Sequence, residues 1–461
     1  MHPRNKHLAA PQAILMSFAA MISVGTCLLV LPQASQSGQS VGWLNALFTA
    51  TSANCVTGLT VVNTMTQWTL FGQLVILALI QLGGIGFITI VTGTLLVFKR
   101  RITLRQRINI QAMFNQNSLF GMTKLVQRVL RYTFAIEAVG AIALTIGFLT
   151  AHQGYTVGQA IWYGIFHAVS AFCNAGFDII GGNSFTAFVH NDYIQLVLMV
   201  LITLGGFGFA VLHELRQFIL HHGRFRKRTR HLSLQTKLVL KVSLGLFLFG
   251  TLAFAAVEWG NPQTFGHFTS PQKWFSAAFE SVTLRTAGFV TIDQNALTDL
   301  SELIASALML IGGSPAGTTG GIKTITLAII IIAVNSAVHG RTQLVVSGRR
   351  LPVSLLQKAL AIVAMMVGIT CLAVFALYFT EAHNAFHPTV LDLIFEACSA
   401  VGTGGLTTGM TPHLSVLGKL IITACMFIGR LSPLTIAVAL NIRIDAHQHL
   451  VEYPEENLIV G

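Results

Sequence analysis

The stretch Leu284–Phe289, with the sequence LRTAGF, has three near-copies elsewhere in the chain. Each copy is a short, almost uncharged segment in which a glycine stands beside a bulky apolar residue. The copies are NCVTGL at 54–59, FCNAGF at 172–177 and VGTGGL at 401–406. A segment that occurs four times at similar spacing predicts a chain built from four similar units. We number these units one to four and place them at residues 1–110, 111–232, 233–350 and 351–461.

The composition is that of a membrane protein. The chain has 461 residues, of which 53% are hydrophobic and only 10% are charged, and its mean hydropathy is +0.69. Soluble domains carry about a quarter charged residues. Apolar runs long enough to cross a bilayer lie at 10–31, 70–98, 126–150, 193–220, 238–257, 303–338, 355–379 and 416–440. Because lipid cannot satisfy an open backbone, we expect eight helical spans and an all-α polytopic membrane protein.

The net charge of +12 does not by itself indicate a nucleic-acid partner, because the basic residues follow the predicted loops. They concentrate at 99–107, 216–241 and 341–358, between alternate pairs of spans. The other loops and their flanks hold only Lys273, Arg285 and Lys419. Positively charged loops stay on the cytoplasmic side, so we expect both termini in the cytoplasm. A basic surface for lipid or nucleic acid is the alternative interpretation.

A short apolar segment precedes each of the four turns. These segments lie at 43–53, 157–172, 271–284 and 389–400, and they are too short to cross a membrane. Each unit is therefore predicted to contain a helix, a short re-entrant pore helix, a turn and a second helix. Since each unit holds two spans, every unit enters and leaves on the same face. The four units are then parallel, arranged around an axis along the membrane normal.

Four parallel units bring four turns to one central point. Backbone at membrane depth is tolerated only where it is buried or lines water. A glycine lets such a turn adopt positive φ and aim several carbonyls in one direction. The short helices also direct their C-terminal ends, each equivalent to roughly half a negative charge, towards the same point. The arrangement predicts a cation-selectivity filter built from backbone carbonyls.

The segment 312–321 holds six glycines or prolines in ten residues, so the sixth span must break there. We interpret it as a loop within the membrane, with a packing kink as the alternative. It does not match a phosphate-binding loop, because Ile322 interrupts the Gly-Lys-Thr ending of that motif and no strand precedes the segment. Glycines at the corresponding places in spans two and four suit close helix packing. They are Gly83, Gly84, Gly86, Gly205, Gly206 and Gly208.

Three basic residues lie close to these segments. Arg430 occupies the place that Gly84, Gly206 and Gly313 hold in the other units. We expect it to project into the pore below the filter and to bond the 312–321 segment, with snorkelling to the cytoplasmic end as the alternative. Lys323 faces a cytoplasmic vestibule or pairs with a carbonyl.

Arg285 adjoins a turn, and a positively charged side chain in the ion path would repel the transported cation. We therefore expect its side chain to lie behind the filter, bracing carbonyls or pairing with Glu280 or Glu396. The sixteen histidines show no catalytic spacing and are expected to be solvated, among them His221, His222, His447 and His449.

Three features of the sequence resemble the Trk/Ktr/HKT superfamily of potassium transporters. They are the four units, each with a helix, a pore loop and a second helix, the turns at Asn174–Phe177 and Thr286–Phe289, and the stretch Gly313–Thr324. With eight spans, the chain is most similar to the membrane subunit of bacterial Ktr systems. The resemblance implies potassium uptake across a plasma membrane and a homodimer. It also implies a cytosolic ring of RCK-type regulatory subunits. Nucleotide (ATP, ADP or NAD) would bind only to that partner. The ion that this chain transports would be potassium.

The resemblance assigns roles residue by residue. It implies that the filter carbonyls belong to Val56, Thr57, Gly58, Leu59, Asn174, Ala175, Gly176, Phe177, Thr286, Ala287, Gly288, Phe289, Thr403, Gly404, Gly405 and Leu406. It implies that the gate contains Gly312, Gly313, Ser314, Pro315, Ala316, Gly317, Thr318, Thr319, Gly320, Gly321, Lys323 and Arg430. Members that pass sodium tend to have serine at the first filter glycine, so Gly58 favours potassium.

Two other classes of function remain as alternatives. An alternating-access transporter predicts carboxylates inside the spans, and only Glu137, Glu280 and Glu396 lie there. A membrane enzyme predicts clustered His, Asp and Glu side chains, and the sequence has no such catalytic spacing. We therefore predict a transport protein and no enzyme.

Overall fold

A computed structural model describes residues 10–86, 89, 122–151, 153–181, 184–221, 232–341 and 343–440. Several predictions concern residues outside these ranges. They are the end of the second span at 90–98, the basic residues at 99–107 and 224–230, the location of the two termini, and the solvation of His222, His447 and His449.

The described part of the chain is almost entirely helical. Units one and two contain α1 (Ala10–Val30), α2 (Trp43–Cys55), α3 (Thr64–Gln67), α4 (Leu70–Ile85), α5 (Met122–Thr150), α6 (Val157–Cys173), α7 (Asp192–Phe207) and α8 (Phe209–His221). Units three and four contain α9 (Leu234–Glu258), α10 (Ser270–Thr283), α11 (Asp299–Leu310), α12 (Thr324–Val338), α13 (Val353–Thr380), α14 (Val390–Gly402), α15 (Val416–Leu431) and α16 (Pro433–Leu440). A small antiparallel hairpin joins β1 (Val345–Val346) and β2 (Arg349–Arg350).

Each unit repeats the same succession of helix types. The long helices α1, α5, α9 and α13 have 21, 29, 25 and 28 residues. The short helices α2, α6, α10 and α14 follow them, and their ends agree with the predicted segments to within two residues. The helices α4, α7, α11 and α15, which we call return helices, come next. Within the described residues, four helices are long and apolar enough to cross a membrane, or five if one bent pair counts as a span.

Helix contacts link the four units into a closed ring. Within units one, two and four, the short helix packs against both the long helix and the return helix. Between units, α4 contacts α6, α7 contacts α10, α11 contacts α14, and α15 contacts α2. Each short helix therefore packs against the return helix of the preceding unit. The last return helix closes the ring on the first short helix.

The return helices are shorter than predicted, because backbone breaks end them. The expected continuous span at 193–220 is wrong, since α7 and α8 meet at an angle of 108° around Gly208, whose φ is +81°. The expected span at 416–440 is also interrupted: Ser432 has φ +67° and Pro433 lacks the N–H that would continue α15. In unit one, α4 ends at Gly86, where φ is +89°. The break predicted for the sixth span is confirmed, because α11 ends at Leu310 and α12 begins at Thr324.

Glycines let the return helices lie directly on the ends of the short helices. A methyl group added to Gly83 would overlap the carbonyl oxygen of Asn54. The same holds for Gly205 and the Phe172 carbonyl, and for Gly429 and the Val401 carbonyl. The close packing expected of Gly83 and Gly205 is therefore confirmed. It fixes the end of the short helix against the return helix of its own unit in units one, two and four.

Replacing Gly83 with alanine should destabilise the protein by about 2 kcal/mol or more, because the added methyl has no space and overpacking typically costs that much. The matched control is Gly245→Ala in α9, where nothing lies within 4 Å of the added methyl. The control should change stability by no more than about 1 kcal/mol. Thermal unfolding of the two purified variants in one detergent measures the difference, and equal melting temperatures would contradict the packing account.

Candidate functional site

The four turns share an unusual backbone conformation. Directly after α2, α6 and α14, the residues Val56, Asn174 and Thr403 have φ of 57°, 58° and 57°. In unit three, Thr286 has φ 65°, and it lies farther from its helix because α10 ends at Thr283. Left-handed backbone costs a residue with a side chain roughly 1–2 kcal/mol, and more when the side chain is β-branched. Four strained residues at equivalent places indicate that the surrounding structure requires this conformation.

The second residue after each of these positions is a glycine, and the four glycines meet. A methyl group added to Gly58 would lie 3.1 Å from the Cα of Gly176 and 3.2 Å from the Cα of Gly405. A methyl on Gly288 would lie 3.0 Å from the Cα of Gly176 and 3.2 Å from that of Gly405. The four turns thus converge on one ring of glycines, which the sequence predicted. Side chains at these positions would fill its centre.

The carbonyl group before each glycine faces the same ring. The added methyl of Gly58 would lie 2.7 Å from the Ala175 carbonyl oxygen, and that of Gly176 would lie 2.9 Å from the Ala287 oxygen. The pattern continues around the ring, with the Gly404 oxygen 3.1 Å from the methyl position of Gly288 and the Thr57 oxygen against Gly405. No donor from the described residues bonds these four oxygens.

Backbone and hydroxyl groups of the short helices hold the turns in place. The N–H groups of Thr57, Ala175 and Gly404 donate to the carbonyls of Ser52, Ser170 and Ser399 at 2.8, 2.7 and 2.6 Å. In unit three, the Ala287 N–H donates to Thr283 at 2.9 Å. The hydroxyls of Ser170 and Thr283 donate to the carbonyls of Phe177 and Phe289, both at 2.7 Å. Sequence reasoning missed this set, although a serine four residues before each of Val56, Asn174 and Thr403 was a detectable signal.

A polar side chain on each of three short helices braces the segment that follows the turn. On α6, His167 is completely buried and its Nε2 accepts the Ile179 N–H at 3.2 Å, so the expected solvation of all histidines is wrong. On α14, Glu396 accepts hydroxyl hydrogen bonds from Thr407, at 2.8 Å, and from Thr411. On α10, Glu280 accepts a longer bond, of 3.3 Å, from the Gln294 side chain.

The expected pairing of Arg285 with Glu280 or Glu396 is wrong. The guanidinium instead donates to the Ser243 carbonyl on α9 at 3.5 Å. The two glutamates bond the segments after their own turns, as described above. Arg285 directly precedes the third turn, and its side chain reaches the long helix α9. It lies behind the turn, as the sequence analysis expected, but it braces a different element.

The glycine-rich segment between α11 and α12 is folded back on itself. The Gly312 N–H donates to the Ile322 carbonyl at 3.0 Å, and the Ile322 N–H donates to Leu310 at 2.9 Å. The Lys323 ammonium donates to the carbonyls of Thr319, at 2.6 Å, and Gly320, at 3.2 Å. Of the two alternatives for Lys323, the carbonyl contact is therefore the observed one.

The same segment is bonded to the units on either side of it. Towards unit two, the Ser314 N–H donates to the Gly206 carbonyl at 2.8 Å. The Thr318 hydroxyl accepts from the Asn174 side chain at 2.7 Å and donates to the Phe172 carbonyl at 3.1 Å. Towards unit four, the Gly320 N–H donates to the Thr403 hydroxyl at 3.1 Å. Two residues of the turns, Asn174 and Thr403, are thus hydrogen-bonded directly to the segment.

Arg430 connects three units beside the ring. From α15 its guanidinium donates to the Thr318 carbonyl in unit three, to the Gly83 carbonyl at 2.6 Å and to the Gly84 carbonyl at 3.3 Å in unit one. The expected bond to the 312–321 segment is therefore present. A side chain held by carbonyls of two other units is not snorkelling to the cytoplasmic end.

Residues 5–449 match the TrkH family, described as cation transport proteins. The chain belongs to this family. It is 36% identical to the potassium/sodium uptake protein NtpJ of Enterococcus hirae, over 99% of this chain and 98% of that protein. It is also 36% identical to the Ktr system potassium uptake protein B of Bacillus subtilis, over 98% of this chain and 96% of the relative. The resemblance to Ktr membrane subunits is thereby confirmed.

A solved structure supports the fold of this TrkH family member. The potassium transporter TrkH from Vibrio parahaemolyticus aligns with a TM-score of 0.72 at 16% identity, covering 95% of this chain and 86% of that chain. At that identity the likeness concerns the fold. The TrkH family consists of membrane transporters and not of enzymes, in agreement with the sequence analysis.

Replacing Thr318 with valine should loosen the glycine-rich segment, because valine keeps the shape but loses the hydroxyl bonds to Asn174 and Phe172. Two bonds worth roughly 0.5–1.5 kcal/mol each correspond to about tenfold faster local opening. Hydrogen–deuterium exchange of residues 312–321 measures this rate. Thr318→Ser, which keeps the hydroxyl, is the control and should exchange like the wild type; equal exchange in the valine variant would show that the hydroxyl does not hold the segment.

Proposed function

We propose that this protein takes up potassium ions across the plasma membrane through a filter formed by the four turns. The observation that carries the proposal is the ring of glycines with four carbonyl oxygens facing it and no donor bound to them. Carbonyl oxygens of this kind replace the water shell of a cation as it enters a filter. The names of the two relatives support potassium, since one is a potassium/sodium uptake protein and the other is a potassium uptake protein of a Ktr system.

The electrostatics of the ring favour a cation without any carboxylate in the path. Four short helices end at the turns, and each C-terminal end is equivalent to roughly half a negative charge. Together they supply about two negative charges. The membrane potential then drives the ion inwards, with about 2.3 kcal/mol per charge for each 100 mV. The filter residues we assign are 56–59, 174–177, 286–289 and 403–406.

We propose the membrane arrangement of eight spans in four parallel units around the pore axis. The recurring order of long, short and return helices and the closed ring of helix contacts support it. A return helix of 16 residues measures about 24 Å, less than the bilayer core, so α4, α7 and α15 would each cross together with the segment after their break. Both termini would lie in the cytoplasm, where the basic loops also belong.

We propose that the 312–321 segment and Arg430 form the gate. Bonds from Arg430 to Thr318 and Gly83 tie three units together beside the ring, and they would have to break for an ion to pass. An arginine in the ion path also sets an electrostatic barrier to a cation. The conformation described above would then be a closed one. Direct bonds from the segment to Asn174 and Thr403 couple this gate to the filter.

We propose, on the family resemblance, that the protein works as a homodimer with a soluble ring of RCK-type regulatory subunits. The name of the Bacillus relative refers to a system of more than one component, which supports a partner. Nucleotide would act on that partner and not on this chain. The basic cytoplasmic loops are the proposed docking surface.

Replacing Gly58 with serine should raise sodium permeation relative to potassium, because the added atoms would point into the carbonyl ring. The expected change in the selectivity ratio is about tenfold, the effect of about 1.4 kcal/mol. Uptake of each ion into a strain that lacks its own potassium uptake measures the ratio. Gly38→Ser is the matched control: its φ is also positive, at +69°, but nothing lies within 4 Å of the added atom. An unchanged ratio in the Gly58 variant would remove the filter assignment.

Replacing Arg430 with alanine should increase potassium flux, because the bonds that hold the gate closed are lost. If those bonds stabilise the closed state by about 1.4 kcal/mol, the increase should be about tenfold. Flux into proteoliposomes that contain only this chain measures the effect without any partner. Arg350→Ala, in the exposed β2 strand, is the control and should leave flux unchanged. Slower flux in the Arg430 variant would contradict a role as a barrier.

A further inference from the structure

The residues that follow the second turn reach across to the third turn. The Phe185 N–H donates to the Val290 carbonyl at 2.8 Å, and the Val290 N–H donates to the Ser184 hydroxyl at 3.4 Å. Val290 directly follows Phe289, the last residue of the third turn. Among the described residues, the bond from Phe185 to Val290 is the only backbone bond that joins the segment after one turn to the segment after another.

The backbone at this connection is strained. Ser184 has φ of +52°, which is the left-handed conformation that a residue with a side chain adopts only at a cost. Strain of this kind persists where the surrounding structure enforces it. The two hydrogen bonds to Val290 and the complete burial of the Phe185 side chain are the contacts that hold the connection in place.

The Phe185 ring lies between groups that belong to the two turns. Its centre is 5.5 Å from the centre of the Phe289 ring, and the two ring planes are 82° apart. On another side its centre is 5.0 Å from that of the His167 imidazole, at 83°. His167 accepts the N–H of Ile179, two residues beyond the second turn. One side chain therefore contacts the last residue of the third turn and the histidine that braces the segment after the second.

The first and fourth turns end differently. Their last residues are Leu59 and Leu406, where the second and third turns have Phe177 and Phe289. Phe177 and Phe289 lie in one hydrophobic core together with Phe185, whereas Leu59 and Leu406 lie in two other cores. The two turns that end in phenylalanine are thus joined behind the glycine ring by aromatic packing, and this feature breaks the fourfold similarity of the turns.

We propose that Phe185 is a positioning residue that ties the second turn to the third and thereby maintains the preference of the filter for potassium over sodium. The proposal rests on the function proposed above, in which the four turns form the filter. The size of the space between the carbonyls and the number of carbonyls that reach the ion decide which cation a filter favours. Both depend on where the turns are held. Aromatic rings at an edge-to-face angle prefer one geometry, so they hold a turn at a defined distance.

Replacing Phe185 with leucine tests this role, because leucine keeps the position apolar and removes the ring. The ratio of potassium to sodium uptake, in a strain that lacks its own potassium uptake, should fall about fivefold. This change corresponds to about 1 kcal/mol, the scale of one edge-to-face ring pair.

Phe188→Leu is the matched control. Phe188 is 2% exposed in the same core, and its ring packs against Phe148 and Phe185. In the described structure it makes no ring contact with Phe289. Both substitutions should lower the melting temperature of the purified protein, because each removes buried atoms. Only Phe185→Leu should change the uptake ratio.

A double-mutant cycle separates contact with the third turn from a general effect on the core. Phe289→Leu gives the third turn the residue that the first and fourth turns already have. In that background Phe185→Leu should cause less than half of its fall in the wild type, because the ring pair is already lost. Falls that simply add would contradict an action through Phe289.

Phe185→Met is the second variant in case Phe185→Leu does not fold, and it should also lower the ratio. An unchanged ratio in the folded Phe185 variants would overturn the proposal, and so would an equal fall in Phe188→Leu. Gly58→Ser in the same assay tests the filter assignment separately. If Gly58→Ser lowers the ratio and the Phe185 variants do not, the filter assignment stands and the role of Phe185 is refuted. If none of these variants changes the ratio, both are refuted.

Discussion

The absence of a side chain at four glycines is the constraint on which the rest of the structure depends. Only glycine lets the four turns approach until their Cα atoms are neighbours around one point, with four carbonyls facing inwards. That approach requires short helices ending in left-handed residues, and it requires return helices that rest on those ends through Gly83, Gly205 and Gly429. The closed ring of helix contacts then follows from packing each short helix against the return helix of the preceding unit.

The four units differ most in the groups that surround this ring. Unit three has the glycine-rich 312–321 segment after its return helix, and unit four places Arg430 where the other units have glycine. These two features bond each other and reach into units one and two. The similar parts account for the proposed filter, and the dissimilar parts account for the proposed gate. Such a division explains how one chain can combine a nearly symmetric site with an asymmetric control element.

Sequence alone predicted what is encoded locally. The turns, the short helices and the break before α12 follow from glycine content and the length of apolar runs. The break at Gly208 was missed, because an apolar run looks the same whether or not one glycine in it adopts positive φ. Of the two alternatives for Arg285, the pairing with Glu280 or Glu396 was wrong and a carbonyl contact is observed. Sequence does not tell which way a side chain leaves a turn. His167 was missed because a buried histidine is defined by its neighbours Tyr163 and Ile179, which lie on different segments.

The most direct measurement is the position of a heavy potassium analogue in the protein. Crystals or single-particle samples prepared with thallium or rubidium ions would locate bound ions by anomalous scattering or by density differences. The account predicts an ion at the centre of the glycine ring, coordinated by the carbonyl oxygens of Thr57, Ala175, Ala287 and Gly404. An active protein that binds these ions only elsewhere, with the ring empty, would contradict it.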